Sequence, residues 1–335
     1  MKHGGDLTGA IARYGGAAEA WLDLSTGINP WSYPIQALPV QALPDHVWQR
    51  LPSRADEIAV CDAARMAYGV PDGVGIVAAA GTQALIQWLP RLAIDGRVAI
   101  LGPTYGEHEA AWRQAGHDVV AIDRLDALAA DTRHVVIVNP NNPDGRIVDR
   151  EALARLATSL RARGGWLVID EAFADVSEHI SAVALCRDDP VVVLRSFGKF
   201  YGLAGIRLGF AIARADIANA VQNAIGPWAC SGPALIVGAR ALRDHDWRDR
   251  MRERLARQAD RLDHVLCQHG CAIVGGTTLY RLVRHRDATL IHAGLARQKI
   301  WCRRFEWDGG LLRFGLPPDQ PALDRLAAAL KQTGG

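Results

Sequence analysis

The stretch that decides the fold of this chain is SFGKFYGLAGIRLG, residues 196–209. The apolar run Val191–Leu194 precedes it and a second run, Leu208–Ala213, overlaps its end, and we predict that both are β-strands. Lys199 and Arg207 lie between these runs in a segment rich in glycine. Open α/β sheets bind ligands beyond the carboxyl ends of their strands. The stretch therefore predicts a ligand site at the edge of such a sheet, with Lys199 in it.

Similar strand patterns occur earlier in the chain, and stretches with helical periodicity, such as Arg150–Arg163, separate most of them. The predicted strands are Gly75–Ala79, Arg97–Leu101, Asp118–Ile122, His134–Val138, Trp166–Ile169, Val191–Leu194 and Leu208–Ala213. Near-continuous apolar strands that alternate with helices are typical of a parallel sheet covered on both faces. We therefore predict an α/β fold whose large domain has a seven-stranded, mostly parallel sheet flanked by helices.

Weaker and mixed patterns at the two ends of the chain predict a second domain. A long helical stretch, Ala234–Gln268, is followed by the predicted strands Cys271–Val274, Tyr280–Val283 and Leu311–Phe314 and the predicted helices Ala288–Arg297 and Pro321–Lys331. The first forty-odd residues are rich in glycine, proline and tryptophan, which indicates an extended arm with few regular elements. The predicted division is an N-terminal arm at 1–45 that packs with the small domain, a large domain at 46–232, and a small α+β C-terminal domain at 233–335.

The composition is that of an ordinary soluble globular protein, with 49% hydrophobic and 22% charged residues among 335. A formal net charge of +2 gives no reason to expect nucleic acid or an acidic membrane as partner. The basic residues of Arg248–Arg261 alternate with acids at helical spacing, which favours a solvated helix face. The first residues lack the apolar region of a signal peptide, and no apolar run is long enough to span a bilayer. We therefore expect a cytoplasmic protein.

The six cysteines do not form the pattern of a disulfide framework in a chain of this length. The run from Cys267 to Cys271, with His269 between them, resembles half of a metal site. No second Cys/His pair at zinc-site spacing accompanies it. We therefore expect reduced cysteines and no metal ion.

Five clusters of polar residues directly follow predicted strands. They are Gly81-Thr82-Gln83, Pro103-Thr104-Tyr105, Asn139–Gly145, Asp170–Phe173 and Ser196–Lys199. Each has an ordinary explanation by itself, since Asn-Pro-Asp-Gly is a turn signal, a carboxylate can cap a helix, and most single lysines lie on the surface. Because the carboxyl ends of parallel strands meet at one rim, the clusters together predict one composite site.

These clusters resemble the motifs of the class I and II aminotransferase superfamily, the fold type I pyridoxal-phosphate enzymes, and the resemblance extends over nearly the whole chain. Asn139–Gly145 resembles the Asn-Pro-x-Gly loop of the family, and Asp170–Phe173 resembles its Asp-x-x-Tyr segment. Residues 196–209 resemble its Ser-x-x-Lys…Gly-x-Arg-x-Gly cofactor motif, with the family's spacing of eight residues between lysine and arginine. The resemblance implies pyridoxal 5'-phosphate as the cofactor.

The resemblance also implies a role for each residue. The catalytic residues are Lys199, which carries the cofactor and acts as acid and base, and Asp170, which keeps the pyridinium nitrogen protonated. Asn142 donates a hydrogen bond to the phenolate oxygen, and Tyr105 stacks on the ring, with His108 as the alternative for stacking. The cofactor phosphate lies at the start of the helix after the first strand. The implied cofactor-binding set is Gly81, Thr82, Gln83, Tyr105, Asn142, Asp170, Phe173, Ser196, Lys199 and Arg207.

Two positions depart from the pattern of the family. Phe173 stands where the family usually has a tyrosine, so that one hydrogen bond to the phenolate oxygen is missing. Leu51-Pro52 stands where many relatives have Tyr-Pro, whose tyrosine reaches the cofactor phosphate of the partner subunit. The resemblance still implies a homodimer, but it does not imply that shared phosphate contact.

Two further segments resemble substrate-binding parts of the family. Leu311–Gly315 resembles the segment whose arginine, here Arg313, binds the substrate carboxylate, and the alternative is an arginine on an exposed edge strand. The start His3–Asp6 and the segment Leu22–Pro30 resemble the threonine-phosphate decarboxylase branch, in which the His-Gly-Gly start faces the substrate phosphate. The alternative for His3 is a histidine in a frayed terminus. The implied substrate-binding set is His3, Gly4, Gly27, Asn29 and Arg313.

This branch implies decarboxylation of L-threonine O-3-phosphate to (R)-1-amino-2-propanol O-2-phosphate in cobalamin biosynthesis. A histidinol-phosphate-type aminotransferase is the alternative, because it shares the fold, the cofactor and a phosphorylated amino substrate. The sequence does not show which substrate bond lies perpendicular to the cofactor ring, so both reactions stay open. A regulatory module is disfavoured because a helix-turn-helix has no room here, and a nicotinamide dehydrogenase because no Gly-x-Gly-x-x-Gly follows the first strand.

Overall fold

The computed structural model describes residues 4–35 and 43–333 of the chain. In these residues the strands are β1 (Leu22–Leu24), β2 (Val74–Ala79), β3 (Arg97–Leu101), β4 (Asp118–Ile122), β5 (Thr132–Val138), β6 (Leu167–Asp170), β7 (Val191–Ser196), β8 (Gly209–Arg214), β9 (Ala272–Thr277), β10 (Tyr280–Arg284), β11 (Ile300–Arg304) and β12 (Leu311–Gly315). The α-helices are α1 (Thr8–Tyr14), α2 (His46–Gln49), α3 (Arg54–Tyr68), α4 (Thr82–Leu92), α5 (Glu107–Gln114), α6 (Arg150–Arg161), α7 (Phe197–Phe200), α8 (Ala215–Ile225), α9 (Gly232–Arg243), α10 (His245–Gln268), α11 (Ala288–Arg297) and α12 (Gln320–Thr333). None of these helices combines the length and the apolar character that a membrane-spanning segment needs.

The chain divides into two compact units. Of the described residues, the larger unit contains 32–35, 43–142 and 146–248. Of the described residues, the smaller unit contains 4–31, 143–145 and 249–333. The division inside α10 comes later than the expected boundary after residue 232, because α9 packs along α3 within the larger unit. The expected arm at 1–45 is divided too, since its described residues 32–35 and 43–45 belong to the larger unit.

The larger unit contains a seven-stranded sheet with the order β2-β8-β7-β6-β5-β3-β4. β8 runs antiparallel to its neighbours β2 and β7, and the other neighbouring pairs are parallel. The predicted seven-stranded, mostly parallel sheet is therefore confirmed. Ala79 at the end of β2 and Ser196 at the end of β7 both pair with Gly209 at the start of β8. This register brings the carboxyl ends of the parallel strands and the amino end of β8 to one rim.

Both faces of this sheet are buried, as expected for near-continuous apolar strands. Val136, Val168 and Val192 belong to a core that also contains Leu85 of α4 and Trp112 of α5. The alternate residues of the same strands, Ile137, Ile169 and Val193, are also buried, with at most 1% of each exposed. Burial of one such side chain contributes about 1.5–3 kcal/mol. The apolar layers on both faces therefore give the rim a rigid support.

The smaller unit contains a five-stranded sheet with the order β1-β11-β12-β10-β9. β1 pairs with β11 in parallel, and the other neighbouring pairs are antiparallel. The helices α11 and α12 pack against one another. The predicted α+β character of this region and its predicted strands and helices are confirmed. β1 and β11 were not predicted, because each is short and β11 ends in two arginines.

One expectation about the helices was wrong, and another fails at a single residue. The predicted helical stretch Ala234–Gln268 is two helices, separated at Asp244, whose side chain accepts the N–H of Trp247 at 3.0 Å in the first turn of α10. The N-terminal residues were expected to form few regular elements, and the short α1 and the three-residue β1 lie within them. Arg250, Arg254, Arg257 and Arg261 are exposed, as expected for a solvated helix face, but Arg248 is not. It is 3% exposed and pairs with Glu178 in the larger unit.

Candidate active site

The loops after β5, β6 and β7 lie side by side at the rim of the large sheet. The N–H of Asn139 donates to the carbonyl oxygen of Asp170 at 2.8 Å. The N–H of Glu171 donates in turn to the carbonyl oxygen of Leu194 at 2.9 Å. These bonds continue the strand pairing into the loops, so that three of the predicted polar clusters share one edge of the larger unit.

An anion cradle lies at the start of α4. Gly81 precedes the helix with a φ of 82°, in the left-handed region that glycine adopts without strain. A Cβ on Gly81 would lie 2.8 Å from Nη2 of Arg207, so this guanidinium lies against the backbone of Gly81. The first N–H groups of a helix have no partner within the helix, and together with an arginine they suit a phosphate group. The cradle therefore fits the phosphate end of a cofactor or ligand.

Asp170 is the last residue of β6 and is held by two neighbours. Its Oδ2 lies 2.9 Å from Nε2 of His108, and its Oδ1 accepts the N–H of Ala172 at 3.0 Å. Asp170 is 3% exposed and His108 is 1% exposed. The His108 ring is thus directed at this carboxylate, and Tyr105 meets that ring edge-on, with 6.2 Å between ring centroids. Sequence reasoning named His108 as a stacking alternative and missed its contact with Asp170.

Lys199 lies in the short helix α7, directly after Ser196 at the end of β7. Its Nζ is 5.8 Å from the centroid of the Phe173 ring, which is 4% exposed. A Cβ on Gly198 would lie 2.9 Å from Cα of Ala204, so the turn that carries Lys199 packs closely on the following turn. The amine of Lys199 therefore lies near the aromatic ring of Phe173.

Side-chain hydrogen bonds fix the loop that contains Asn142. Asn139 accepts the N–H of Val148 at 2.9 Å, and its amide donates to the carbonyl oxygen of that residue at 3.2 Å. Asn141 accepts the hydroxyl of Thr104 at 2.6 Å. Asn142 follows these two anchored asparagines and is half-buried. Asn139 and Asn141 therefore hold the loop in place, and Asn142 directly follows these anchored residues.

The side chain of Gln83 is turned toward the start of α5. Its Nε2 donates to Glu107 Oε2 at 2.9 Å, and its Oε1 accepts the hydroxyl of Tyr105 at 3.2 Å. These bonds connect α4, which follows the anion cradle, with the segment that carries Tyr105. The group that Gln83 can offer to an anion is therefore its backbone N–H in the first turn of α4.

A buried charge network behind the rim was not recognised in the sequence. Arg195 donates to Glu171 Oε2 at 2.8 Å and to Asp175 Oδ1 at 2.9 Å, and each of these three side chains is at most 1% exposed. Burial opposes the charge of Arg195, but Asp175 and Glu171 outweigh it and raise the pKa of the guanidinium above its ordinary value. Arg195 directly precedes Ser196, and Glu171 directly follows Asp170. The network thereby links the ends of β6 and β7.

Arg313 is the main cation of the predicted substrate set, which lies in the smaller unit. It is 7% exposed on β12, which has β11 and β10 as neighbours, so the alternative of an exposed edge strand is wrong. Its Nη2 donates to the carbonyl oxygen of Ser25 at 2.9 Å. Burial lowers the pKa of Arg313 to about 10, opposed by Tyr280 and assisted by the charge of Arg303.

Arg303 is a second cation that the sequence analysis missed, because β11 was not predicted. It stands directly opposite Arg313 in the pairing of β11 with β12. Like charges at paired positions of a sheet destabilise each other, and an anion between them removes that repulsion. The pair therefore places two positive charges on neighbouring strands of the smaller unit.

The other described residues of the predicted substrate set, Gly4, Gly27 and Asn29, also belong to the smaller unit. Gly27 is buried, and Asn29 is 2% exposed and accepts the N–H of Trp31 at 2.9 Å. Gly4 lies against Ser25, because a Cβ on Gly4 would be 2.5 Å from the Ser25 carbonyl oxygen. His3 lies outside the described residues. The cofactor set is thus contained in the larger unit, and the described substrate set in the smaller one.

Comparisons with known proteins gave one matching family, similar sequences and similar folds. The family described as aminotransferase class I and II matches residues 63–330. A threonine-phosphate decarboxylase of Pseudomonas aeruginosa is 44% identical, covering 98% of this chain and 97% of its own length. A threonine-phosphate decarboxylase of Sinorhizobium sp is also 44% identical over the same shares of both chains. The solved histidinol-phosphate aminotransferase of Sinorhizobium meliloti, in complex with pyridoxal-5'-phosphate, has a TM-score of 0.84 at 21% identity, covering 97% of this chain and 93% of its own. At that identity the structural likeness concerns the fold.

Proposed function

The chain belongs to the class I and II aminotransferase family, and we propose that it is a pyridoxal-phosphate-dependent lyase that decarboxylates L-threonine O-3-phosphate. The product is (R)-1-amino-2-propanol O-2-phosphate, an intermediate of cobalamin biosynthesis. The observation that carries this choice of reaction is the 44% identity, over 98% of the chain, to two threonine-phosphate decarboxylases. We place the enzyme in the cytoplasm.

The residues of the larger unit fit pyridoxal 5'-phosphate. The N–H groups at Thr82 and Gln83, with Ser196 and Arg207, bind its phosphate, because the structure places the Arg207 guanidinium against the helix start at Gly81. Asp170 would pair with the ring nitrogen and keep it protonated, and His108 holds the Asp170 carboxylate through Oδ2. Tyr105 covers the ring, beside Asn142 and Phe173. When bound, the cofactor supplies an electron sink for the bond that breaks.

The residues of the smaller unit suit a substrate with two anionic groups. Arg313 binds the carboxylate with its planar guanidinium, and Arg303 adds the second positive charge on the neighbouring strand. Gly4, Gly27, Asn29 and His3 complete the proposed substrate set. L-Threonine O-3-phosphate carries both a carboxylate and a phosphate, so it offers two anionic groups to this positively charged region.

Lys199 performs the proton transfer of the proposed reaction. Its amine would hold the aldehyde group of the cofactor in the resting enzyme and would be free to act as acid and base once substrate is bound. When the carboxylate leaves as CO2, the ammonium group of Lys199 delivers one proton to the α-carbon. The product therefore keeps its amine and its phosphate, and no second substrate is consumed.

Product analysis tests the reaction. The purified protein, loaded with pyridoxal 5'-phosphate, is incubated with L-threonine O-3-phosphate with and without 2-oxoglutarate. We expect equal amounts of CO2 and aminopropanol phosphate in both cases, and neither product from a Lys199→Ala variant. Formation of glutamate that requires an amino donor and 2-oxoglutarate, without CO2, would instead support the histidinol-phosphate-type aminotransferase.

Reduction with borohydride tests the assignment of Lys199 separately. We expect the reduced pyridoxyl group on the peptide that contains Lys199, because this amine lies at the rim beside Phe173. A pyridoxyl group on a peptide with another lysine, or on none, contradicts the assignment.

We also propose that the protein acts as a homodimer. Exposed apolar side chains gather on neighbouring segments of the larger unit, with Trp48 and Leu51 each 66% exposed and Trp228 54% exposed. Pro52 and Trp228 line the same surface cleft. An exposed apolar surface of this kind is typical of a protein interface. Light scattering is expected to give twice the mass of the chain, and a single-chain mass for a Trp48→Asp/Trp228→Asp variant.

A further inference from the structure

We propose that Ser25 is a positioning residue, which fixes the N-terminal Gly4-Gly5 backbone and Arg313 to one another. The inference rests on the proposed function, because it assigns Ser25 a part in the binding of threonine phosphate. Ser25 was not among the predicted substrate residues, and its side chain is 0% exposed directly after β1.

Two hydrogen bonds determine the direction of the Ser25 hydroxyl. Its Oγ donates to Asp23 Oδ1 at 2.6 Å, and the same Oγ accepts the N–H of Gly5 at 2.9 Å. Asp23 Oδ1 also accepts the N–H of Ser25 at 2.8 Å. Because the single hydroxyl proton goes to Asp23, the lone pairs of Ser25 are available to Gly5. Asp23 therefore orients the serine, and the serine binds the N-terminal backbone.

The two glycines allow this backbone to approach closely. A Cβ on Gly4 would be only 2.5 Å from the carbonyl oxygen of Ser25. Gly5 has a φ of 87°, and a Cβ there would be 3.2 Å from Cγ2 of Thr26. Residues with larger side chains would thus displace the N-terminal segment from Ser25. The two glycines therefore permit the close contact of this backbone with Ser25 and Thr26.

The carbonyl group of Ser25 makes the second connection. It accepts a hydrogen bond from Nη2 of Arg313 at 2.9 Å, so one residue holds the N-terminal backbone with its side chain and the buried arginine with its main chain. A substrate with a carboxylate and a phosphate needs two recognition groups at a fixed separation, and Ser25 holds the N-terminal backbone and Arg313 at such a separation. Ordering a mobile segment at the moment of binding lowers affinity, and a segment that is already ordered avoids this loss.

The helix that follows has its own support. Ala10 of α1 packs in a core with Trp21 and Ala296, and Ala10 is 2% exposed. Loss of the Ser25 hydroxyl is therefore expected to release the residues before α1 without unfolding α1 itself. Because α1 is expected to stay folded, a single substitution at Ser25 can test the proposal.

The kinetic test compares Ser25→Ala with a deletion of residues 1–5, alone and combined, in the cofactor-loaded enzyme. Removal of the Ser25 hydroxyl is expected to raise KM for L-threonine O-3-phosphate about three- to tenfold, as for one neutral hydrogen bond, with kcat within about twofold. In the deletion background the same substitution is expected to change KM less than about twofold. Asp23→Asn keeps an acceptor oxygen for the hydroxyl and is expected to retain the KM of the parent.

A matched control is Ser231→Ala, which removes a serine hydroxyl that accepts a backbone N–H, that of Ala234 at 3.3 Å, in the larger unit. Its KM is expected to stay that of the parent. A Ser25→Ala enzyme with unchanged KM overturns the proposal. So does an equal KM increase with and without residues 1–5, because Ser25 then acts on Arg313 alone.

Hydrogen exchange separates failure of this inference from failure of the proposed function. The measurement uses the cofactor-loaded protein without substrate. The peptide that contains Gly5 is expected to exchange its amide hydrogens faster in Ser25→Ala than in the parent, and at the rate of the parent in Ser231→Ala. If the parent protein releases no CO2 from threonine phosphate, the proposed function fails, and the exchange measurement still tests the contact. Equal exchange in parent and Ser25→Ala overturns the positioning role.

Discussion

At the scale of single residues, two arginines have similar chemistry and different surroundings. Arg207 lies against Gly81 at the start of α4, and Arg313 is bound to Ser25 in the smaller unit. We expect Arg207→Ala to weaken retention of pyridoxal 5'-phosphate and Arg313→Ala to raise KM with cofactor retained. Each lost contact to a charged group is expected to cost about 1.5–3 kcal/mol.

Dialysis followed by absorbance gives the retained cofactor, and steady-state kinetics give KM. Arg250→Ala is the control, because this side chain is exposed on α10. If Arg313→Ala loses the cofactor while Arg207→Ala retains it, the two assignments are reversed.

Phe173 permits a test of the geometry beside Lys199. A tyrosine at this position adds a hydroxyl that can donate to the phenolate oxygen of the cofactor, alongside Asn142. Because a hydrogen bond to the ionised form favours that form, Phe173→Tyr is expected to lower the pKa at which the cofactor bound to Lys199 loses its proton. The change is expected to be at most about 1–2 pH units, the equivalent of one such bond.

A spectrophotometric titration of the cofactor band measures this pKa. Phe173→Leu is the control, because it adds no donor. A tyrosine variant that titrates at the same or a higher pH than the parent shows that residue 173 does not lie beside the phenolate oxygen.

At the scale of elements, the buried network of Arg195 links the ends of β6 and β7. Replacement of Arg195 by methionine leaves Glu171 and Asp175 buried without their common cation. Removal of one partner from a buried ion pair typically costs about 3–5 kcal/mol. We therefore expect Arg195→Met to lower the free energy of unfolding by about that amount, measured by denaturant unfolding.

The matched control is Arg214→Met at the end of β8, whose guanidinium pairs with Asp216 and is 41% exposed. An exposed pair of this kind contributes about 0–1 kcal/mol. Equal effects of the two substitutions would show that the buried network does not support the sheet.

At the scale of the whole molecule, stability is expected to fall in mild acid. Burial lowers the pKa of His134 in the larger unit and of His292 in the smaller unit to about 4. His134 is held as the neutral form, because its Nε2 faces the carbonyl oxygen of Ile94 at 2.8 Å and its Nδ1 accepts the N–H of Trp166 at 3.0 Å. In the unfolded chain both histidines take up a proton near pH 6.5.

The unfolded state therefore binds more protons than the folded state between these pKa values. The contribution of each histidine is complete above about pH 6.5 and is lost as the pH falls toward about 4. Between pH 6.5 and 5 the loss is at most about 2 kcal/mol for each histidine. Unfolding midpoints at fixed cofactor concentration measure it, and a His134→Gln variant is expected to show a smaller pH dependence. If the parent and His134→Gln show the same pH dependence of unfolding, this role of His134 is wrong.

The sequence by itself determined the large sheet, its rim and the residues that stand there. The strands of this sheet are buried on both faces, so each is a nearly continuous apolar run, and the polar residue after each run marks its end. For this reason Asp170, Ser196 and Lys199 could be placed at one edge before any contact was known. β11 was missed because a short strand that ends in arginines lacks such a pattern, and with it the position of Arg303 opposite Arg313.

Only the tertiary structure decided which side chains meet. His108 and Asp170 are 62 positions apart, and Ser25 and Arg313 are 288 positions apart. Local propensity and periodicity act over a few turns or strands, whereas these contacts depend on how complete elements pack. An unsatisfied polar group in the interior is costly, so a buried hydroxyl or imidazole turns toward the hydrogen-bond partners that the packing places beside it. The chemistry of the rim could therefore be predicted from the chain, while the contacts that orient Asp170 and Arg313 arise from the folded packing.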